Sequence, residues 1–318
     1  MKGYEWPDQL RDHLHEADSE FLFDPELLLK LAVGCSGEQY LVLTVLSREY
    51  LPIGEMWVKF ALRAKVSNFV VIATDSETAS AMKTLGIPFL EVRLPPTLTA
   101  IAGYRNRGGF DGKAMAIIYC RLRLILCLVE RGINVLACDI DALLIRDPSL
   151  IFAGKRDIVF QRVVYFPKPL ARHWGFAACA GFIAFRGAAH VADFLARSLA
   201  ILKKVSSDQI ALNLALFELD PQWDFVAQKI ATDEQLISSF ADKANEGIFG
   251  ATRDSGLLLE ALPATRFFRH SFVATDAASL VVLHPNSPKS LKGKMEVFDR
   301  ILSSEDKRFL AMRSSSGL

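Results

Sequence analysis

Short apolar runs alternate with amphipathic segments along the first half of the chain. Runs at 40–46, 69–73 and 88–93 have the length of strands and are rich in Val, Ile, Leu and Phe. Segments of helical length separate them, and the first helix is expected to begin where Asp24 precedes Pro25. Strands that alternate with helices pack as a mostly parallel sheet with helices on both faces. The pattern therefore predicts an α/β fold.

A fourth apolar run, at 133–138, ends in two aspartates that are one residue apart. Asp139 and Asp141 follow this run directly, and a strongly apolar helix is predicted at 111–130 before it. In open α/β sheets, ligands bind beyond the carboxyl ends of the strands. Carboxylates there are costly to bury unless a cation meets them, and a hard divalent metal that carries phosphate oxygens is a suitable partner.

Polar and basic residues follow other predicted elements of this half. Thr74 and Asp75 end the strand at 69–73, where they would contact a base or ribose, or cap the next helix. A Gly-rich stretch contains Arg105, and Lys113 lies at the start of the long helix. Arg and Lys near a diphosphate supply charge-assisted hydrogen bonds, although in a loop they more often stay in solvent.

The second half of the chain is less regular. Strands are predicted at 157–161, 182–185 and 279–284, and helices at 190–205 and 207–217. The fold prediction is therefore a mostly parallel central sheet flanked by helices, with a smaller subregion.

Four polar side chains of the second half are candidates for function. Asp208 and Gln209 begin a predicted helix, where a carboxylate can also act as an N-cap. His284 ends the last predicted strand, and Lys294 follows it. A histidine at a strand end is more often structural, although a neutral imidazole is a good ligand for Mn²⁺.

Charge and cysteine content narrow the class of protein. The 318 residues include 37 Lys and Arg against 36 Asp and Glu, so no global basic field attracts nucleic acid or an anionic membrane. Five scattered cysteines without a metal-binding spacing indicate a reducing compartment. No signal peptide is visible, and no apolar segment is long enough to span a membrane. We therefore expect a cytoplasmic protein, and a nucleic-acid partner is disfavoured.

Several elements together resemble the nucleotide-diphospho-sugar transferases of the GT-A fold, and most closely the group that contains glycosyltransferase family 77. That group carries a Lys-bearing helix, a Gly before an apolar strand, Asp-x-Asp and Arg-Asp-Pro, followed by small-Gly-Phe, Asp-Gln…Asn and His-x-Asn segments. The matching elements are Lys113, Gly132, Asp139-Ile140-Asp141, Arg146-Asp147-Pro148, Ala180-Gly181-Phe182, Asp208-Gln209 with Asn213, and His284 with Asn286. In this order they cover about residues 39 to 300.

The resemblance implies a metal-dependent glycosyltransferase that moves a sugar from a nucleotide diphosphate sugar, expected to be a UDP-sugar, to a hydroxyl acceptor with retention of configuration. The acceptor would be a protein, a glycan or a small molecule. Asp139, Asp141 and His284 would hold Mn²⁺ or Mg²⁺. Asp208 and Gln209 would lie near the donor sugar as catalytic residues. The remaining donor contacts would come from Thr74, Asp75, Arg105, Lys113, Asp139 and Lys294.

The same resemblance suggests how the chain is divided. A helical N-terminal extension is expected at 1–38, a GT-A domain at 39–300 and a C-terminal tail at 301–318. Within the domain, 39–150 would form the nucleotide-binding half and 151–300 the acceptor and catalytic half.

Two other functions stay open. Phosphatases of the haloacid dehalogenase kind also carry Asp-x-Asp after a strand. Their motif usually lies near the N-terminus and continues to Thr or Val, whereas Leu143 fills that position here. A non-catalytic nucleotide-sugar-binding module is the second alternative, and the intact acidic residues and His284 argue against it.

Overall fold

A nine-stranded sheet organises the part of the chain that the computed structural model describes, which is residues 23–34, 40–99, 111–225, 230–270, 273, 278–286 and 290–302. The strands of this sheet are β1 (Leu41–Leu46), β2 (Phe69–Ala73), β3 (Phe89–Glu91), β4 (Val135–Cys138), β6 (Ile158–Val163), β7 (Ala177–Phe185), β8 (Pro221–Trp223), β9 (Ile248–Thr252) and β10 (Leu258–Ala261). A small second sheet contains β5 (Leu143–Leu144), β11 (Phe267–Phe268) and β12 (Val282–Leu283).

Helices connect the strands and cover the sheet. They are α1 (Pro25–Gly34), α2 (Leu51–Arg63), α3 (Ser76–Thr84), α4 (Pro96–Thr99), α5 (Gly112–Val129), α6 (Lys168–Trp174), α7 (Ala189–Leu202), α8 (Asp208–Glu218), α9 (Asp233–Asp242) and α10 (Leu291–Leu302). Single-turn 3₁₀ helices lie at Arg48–Tyr50 and Ser149–Phe152. Side chains cap several N-termini, namely Asp75 for α3, Asp111 for α5 and Ser207 for α8.

The strands follow the order β3-β2-β1-β4-β7-β6-β10-β9-β8. The first four of these are parallel, as the alternation of strand and helix predicts. Beyond β4 the sheet is mixed, since β7 runs antiparallel to both β4 and β6, and β9 runs antiparallel to β10 and β8. The connection between β9 and β10, residues 253–257, is short. Such a short connection requires antiparallel neighbours, because parallel strands need a longer crossover.

The large sheet separates two apolar cores. Successive side chains of a strand point to opposite faces, so Leu41 and Leu43 of β1 face one core and Val42 faces the other. Helices α1, α5, α7, α8 and α9 contribute to the first core. Helices α2, α3 and α10 and the small sheet contribute to the second. The predicted α/β fold, with a central sheet flanked by helices, is confirmed.

The predicted division of the chain is not decided by this architecture. Leu28 of α1 is wholly buried in the first core, so this helix packs on the sheet. The boundary at residue 39 stays a prediction, as does the tail, of which 303–318 lie outside the described residues. Within the described residues, no helix combines the length and the apolar character needed to cross a membrane.

Candidate functional site

The two aspartates of the Asp-x-Asp motif lie at the carboxyl end of β4, in the turn that leads to the small sheet. Asp139 N donates to Gly181 O at 2.7 Å, which ties the first aspartate to β7. Ala142 N donates to Asp139 O at 2.9 Å and closes the turn. Asp141 lies within this turn and is buried. The turn therefore holds both aspartates at the edge of the sheet where ligands of α/β proteins bind.

His284 joins these carboxylates through the small sheet. β5 begins two residues after Asp141 and pairs antiparallel with β12, which ends directly before His284. The imidazole Nε2 therefore lies 3.5 Å from Asp141 Oδ1 and 3.9 Å from Asp139 Oδ2. One ligand atom of each of the three side chains lies within 4.8 Å of the others. The structure thus brings together the three residues predicted to bind metal.

Two cations contact the same carboxylates. Lys294 of α10 pairs with Asp141. Arg121 of α5 donates to Asp139 Oδ1 at 2.5 Å and to Ala180 O at 2.5 Å, and it lies 3.9 Å from Asp208 Oδ2. Lys294 was predicted as a donor contact, whereas Arg121 was not identified from the sequence. An arginine within an apolar helix was the available signal, because such a side chain needs a partner when the helix is buried.

The charges of this cluster stabilise one another. Burial alone would raise the pKa of Asp141, but the His284 hydrogen bond and the Lys294 charge hold it well below its usual range. Burial and the charge of Arg269 would lower the pKa of His284, but hydrogen bonds with Asp141 and Cys179 raise it. Burial alone would lower the pKa of Arg121, but the charges of Asp139 and Asp208 raise it. The cluster is therefore a network of opposite charges.

The ligand atoms of these three side chains suit a divalent cation. Two carboxylates and one imidazole are ligands that Mn²⁺ accepts, and carboxylates also suit Mg²⁺. Gly181 leaves the space that this arrangement needs, since a Cβ there would collide with Asp139 Oδ2 and would lie 2.5 Å from His284 Cε1. Asp139, Asp141 and His284 are the residues that would hold the ion.

Asp208 and Gln209 occupy the first turn of α8, beside β7. Ser207 is the N-cap, and Asp208 Oδ1 accepts from Gln209 N at 2.7 Å. Gln209 Oε1 accepts from Ala180 N at 3.4 Å, and its Nε2 donates to Phe166 O. Gln209 thus braces two backbone segments, while Asp208 faces Arg121. The catalytic roles of both residues stay predictions.

Thr74 and Asp75 end β2 and are engaged within the protein. Thr74 Oγ1 donates to Leu46 O at 3.2 Å. The Asp75 carboxylate accepts from Thr78 N at 2.8 Å and from Arg48 N at 2.9 Å, which makes it the cap of α3. The capping interpretation therefore describes this structure, and a nucleotide contact stays a prediction.

The other predicted donor contacts are Lys113 and Arg105. Lys113 lies in the first turn of α5, and its Nζ pairs with Glu49 Oε1 at 2.6 Å. Arg105 lies outside the described residues. Tyr50, which the sequence did not single out, is half-buried in the 3₁₀ helix that follows β1. Burial and the charges of Asp141 and Glu49 raise the pKa of its hydroxyl, which relates the end of β1 to the aspartate cluster.

A comparison with protein families gives one match. The model of the family described as nucleotide-diphospho-sugar transferase matches residues 64–298, which is most of the chain and includes the whole aspartate and histidine cluster. No curated protein matches the sequence.

Similar solved structures have low sequence identity. One is the apo structure of the WbbM bifunctional glycosyltransferase, with 16% identity, coverage of 55% of this chain and 37% of that chain, and a TM-score of 0.41. Another is the apo form of mouse xyloside xylosyltransferase 1, with 13% identity, coverage of 56% of this chain and 82% of that chain, and a TM-score of 0.39. The match to WbbM thus spans little more than a third of that protein.

Proposed function

This chain belongs to the nucleotide-diphospho-sugar transferase family, and on that premise we propose that it transfers a sugar from a nucleotide diphosphate sugar to a hydroxyl acceptor. The proposed nucleotide is UDP, the proposed metal is Mn²⁺ or Mg²⁺, and the proposed outcome is retention of configuration. The narrower resemblance to glycosyltransferase family 77 is part of this proposal. The acceptor is a protein, a glycan or a small molecule.

The observation that carries the proposal is the meeting of Asp139, Asp141 and His284 at one point. The aspartates follow a strand of the large sheet and the histidine follows a strand of the small sheet, yet their ligand atoms lie within 4.8 Å of one another. A divalent cation held there supplies Lewis-acid charge that stabilises a leaving diphosphate. Such a convergence at the carboxyl edge of the sheet favours a donor site.

The cations around this cluster have separate proposed roles. Lys294 contacts Asp141 at the edge of the site, so its ammonium is available to a diphosphate oxygen once the carboxylate has another partner. Arg121 is buried to a similar extent and contacts both the Asp139 carboxylate and the Ala180 carbonyl. We assign it the task of holding Asp139 and Asp208 in place, with its charge offsetting theirs.

Asp208 is the proposed catalytic carboxylate on the sugar side. Its Oδ2 lies 3.9 Å from the same Arg121 nitrogen that binds Asp139, so the carboxylate is adjacent to the proposed metal site. It would either face the anomeric carbon or orient a donor hydroxyl. Gln209 would support it indirectly, because its amide holds Ala180 and Phe166.

The nucleoside is proposed to bind on the other side of the cluster, where β1 and β2 end. Tyr50 offers a half-buried ring whose hydroxyl lies in the field of Asp141. Thr74 and Asp75 stand at the neighbouring strand end, and Lys113 and Arg105 complete the proposed donor contacts. These assignments follow the rule that ligands of such sheets lie across the ends of adjacent parallel strands.

Calorimetric titration with UDP, in the presence and absence of Mn²⁺, tests the proposal. We expect metal-dependent binding by the wild type, which Asp141→Ala abolishes. Asp193→Ala is the matched control, since Asp193 is an exposed carboxylate on α7. A screen of nucleotide sugars for hydrolysis then identifies the donor.

The outcomes separate the alternatives. Absence of binding to UDP, and to GDP in a parallel titration, would overturn the transferase proposal and would direct attention to phosphatase activity. Metal-dependent binding of UDP without turnover on any acceptor or water would indicate a non-catalytic nucleotide-sugar-binding module.

A further inference from the structure

Gln161 is a wholly buried amide in β6, on the large sheet, and it contacts the proposed metal ligand His284. Its Nε2 donates to Phe267 O at 3.1 Å and to Phe268 O at 3.0 Å, both in β11 of the small sheet. Its Oε1 lies 2.8 Å from His284 Nδ1. The amide therefore bridges the two sheets at the point where they form the site.

The two carbonyl partners fix the orientation of this amide. Exchange of the amide nitrogen and oxygen would set Gln161 Oε1 against two carbonyl oxygens and would leave both carbonyls without their donor. That arrangement is strongly unfavourable in a buried environment. The atom that faces His284 is therefore the oxygen, which can only accept a hydrogen bond.

The orientation of Gln161 decides which nitrogen of His284 carries a proton. Because Oε1 is an acceptor, Nδ1 must be protonated to make the 2.8 Å hydrogen bond. The Asp141 carboxylate can only accept, so its hydrogen bond with His284 in the metal-free protein uses a proton on Nε2. Once that proton is lost, the neutral imidazole keeps its one proton on Nδ1 and Nε2 presents its lone pair. Nε2 is also the nitrogen that faces Asp141 at 3.5 Å and Asp139 at 3.9 Å.

We propose that Gln161 is a positioning residue, which holds the His284 ring and its Nδ1–H tautomer so that the Nε2 lone pair points at the aspartates. The consequence for metal affinity rests on the proposed function, whereas the tautomer does not. Outer-sphere partners of metal-binding histidines commonly fix the tautomer in this way, and their loss weakens metal binding roughly 10- to 100-fold.

The main chain of His284 belongs to the same network. His284 N donates to Phe268 O at 3.0 Å, and this carbonyl also accepts from Gln161 Nε2. Gln161 thus holds the backbone carbonyl that positions His284 and also contacts its ring. The Cys179 thiol is a further hydrogen-bond partner of the imidazole. A thiol is a weak donor and acceptor, so we assign the tautomer to Gln161.

Two substitutions separate the parts of this network. Gln161→Met keeps the length of the side chain but makes none of its hydrogen bonds. Gln161→Glu keeps an acceptor for His284 Nδ1 and loses the donor to the two carbonyls. Cys179→Ala is the matched control, because it removes a different partner of the imidazole and leaves Gln161 in place.

Long-range proton–nitrogen NMR of the metal-free protein at alkaline pH reports the tautomer. We expect the Nδ1–H form in the wild type, in Cys179→Ala and in Gln161→Glu, and a shift toward the Nε2–H form in Gln161→Met. An Nε2–H wild type, or an unchanged tautomer in Gln161→Met, would overturn the proposal.

Calorimetric titration with Mn²⁺ alone reports the consequence for metal binding. We expect Gln161→Met to weaken binding roughly 10- to 100-fold, and Gln161→Glu to retain affinity within about 10-fold of the wild type. Equal losses in both variants would show that Gln161 acts only through the two carbonyls. If the wild type binds neither Mn²⁺ alone nor UDP with Mn²⁺ and the tautomers follow expectation, the proposed function fails and the positioning role stands.

Discussion

Lys294 pairs with Asp141 across 153 positions of sequence, and both side chains are largely buried. The ammonium thus neutralises a carboxylate that is also a proposed metal ligand. Asp141 Oδ2 pairs with this ammonium and Asp141 Oδ1 faces His284, so a metal ion at the proposed site would compete with Lys294 for the charge of one carboxylate. Under the proposed function, the pair would couple metal binding to nucleotide binding.

Substitution of Lys294 by Met should change the two affinities in opposite directions. Without nucleotide, Mn²⁺ should bind several-fold more tightly, because it no longer competes with the ammonium. UDP in saturating Mn²⁺ should bind roughly 10- to 100-fold more weakly, since a hydrogen bond to a charged group contributes about 1.5–3 kcal/mol. Calorimetry measures both affinities.

The control for this prediction is Lys292→Met, in the same helix. Lys292 is 88% exposed and pairs only loosely with Glu296, at 3.9 Å. Its loss should leave both affinities within about 2-fold, as expected for exposed pairs. Weaker Mn²⁺ binding by Lys294→Met in the absence of nucleotide would contradict the competition between ammonium and metal.

Arg121 is expected to be required for stability as well as for the site. Arg121→Met leaves Asp139 and Asp208 without their shared cation, and loss of a hydrogen bond to a charged group costs about 1.5–3 kcal/mol. The cost stays below that of breaking a fully buried ion pair, because the Asp139 side chain is 38% exposed. Urea unfolding of the metal-free protein measures the loss. Saturating Mn²⁺ should recover part of it, because the ion supplies the missing charge.

Two further variants test whether the loss of stability in Arg121→Met comes from the missing charge. Arg131→Met removes an exposed arginine just beyond the same helix and should cost less than about 1 kcal/mol. The double variant Arg121→Met with Asp139→Asn should be more stable than Arg121→Met alone, since one unpaired carboxylate is gone. A double variant that is no more stable would show that Arg121 stabilises the fold by packing rather than by charge.

The sequence predicts the first half of the fold well because its signals are local. β2 is wholly buried and reads as an unbroken apolar run, and α5 begins at the capping residue Asp111. The position of Asp139 and Asp141 at the carboxyl edge of the sheet was also predictable, because Asp139 directly follows a strong strand and Asp141 lies two residues beyond it. Each of these features depends on residues that are close together in sequence.

Other parts could not be predicted because they depend on contacts between distant segments. β11 has two residues, which is too short for any periodic pattern, and of the strand predicted at 279–284 only Val282–Leu283 forms β12. The pairing of β12 with β11 and β5, which places His284 at the site, depends on contacts that no local pattern shows. Gln161 appears as one polar residue in an apolar strand, and its partner His284 lies 123 positions away. Only the assembled fold relates them.

Gly181→Ala should impair the site without unfolding the protein. The added Cβ would collide with Asp139 and His284, so these two side chains must separate. We expect Mn²⁺ binding to weaken at least about 10-fold, because two of three ligands move, while the melting temperature falls by only a few degrees. Calorimetry and thermal unfolding measure the two effects.

The matched control is Gly154→Ala, where the nearest atom to an added Cβ is Arg156 Cγ at an ordinary 3.7 Å. This variant should keep the metal affinity of the wild type. Wild-type affinity in Gly181→Ala would show that the aspartate and histidine side chains are free to rearrange, which would count against a preformed site.

His270 should make the protein less stable in mild acid. Burial, together with the charges of Arg269 and His284, lowers the pKa of His270 from 6.5 to about 3. Below pH 6.5 the unfolded chain therefore binds a proton that the native protein does not bind, and the free energy of unfolding falls as the pH falls. The slope is about 1.4 kcal/mol per pH unit until the folded pKa is reached.

His270→Phe removes this penalty and keeps a ring against Tyr165 and Phe240. The variant loses the acceptor for Val164 N, which is a constant cost at every pH. Urea unfolding between about pH 7 and pH 5 should therefore show the stability of the wild type falling toward that of the variant.

The raised pKa of His284 acts with the opposite sign, because its stabilisation is present below pH 6.5 and is lost as the pH rises. That contribution is common to both proteins and cancels in the difference. Parallel curves would mean that the native protein and the unfolded chain take up a proton at His270 to the same extent.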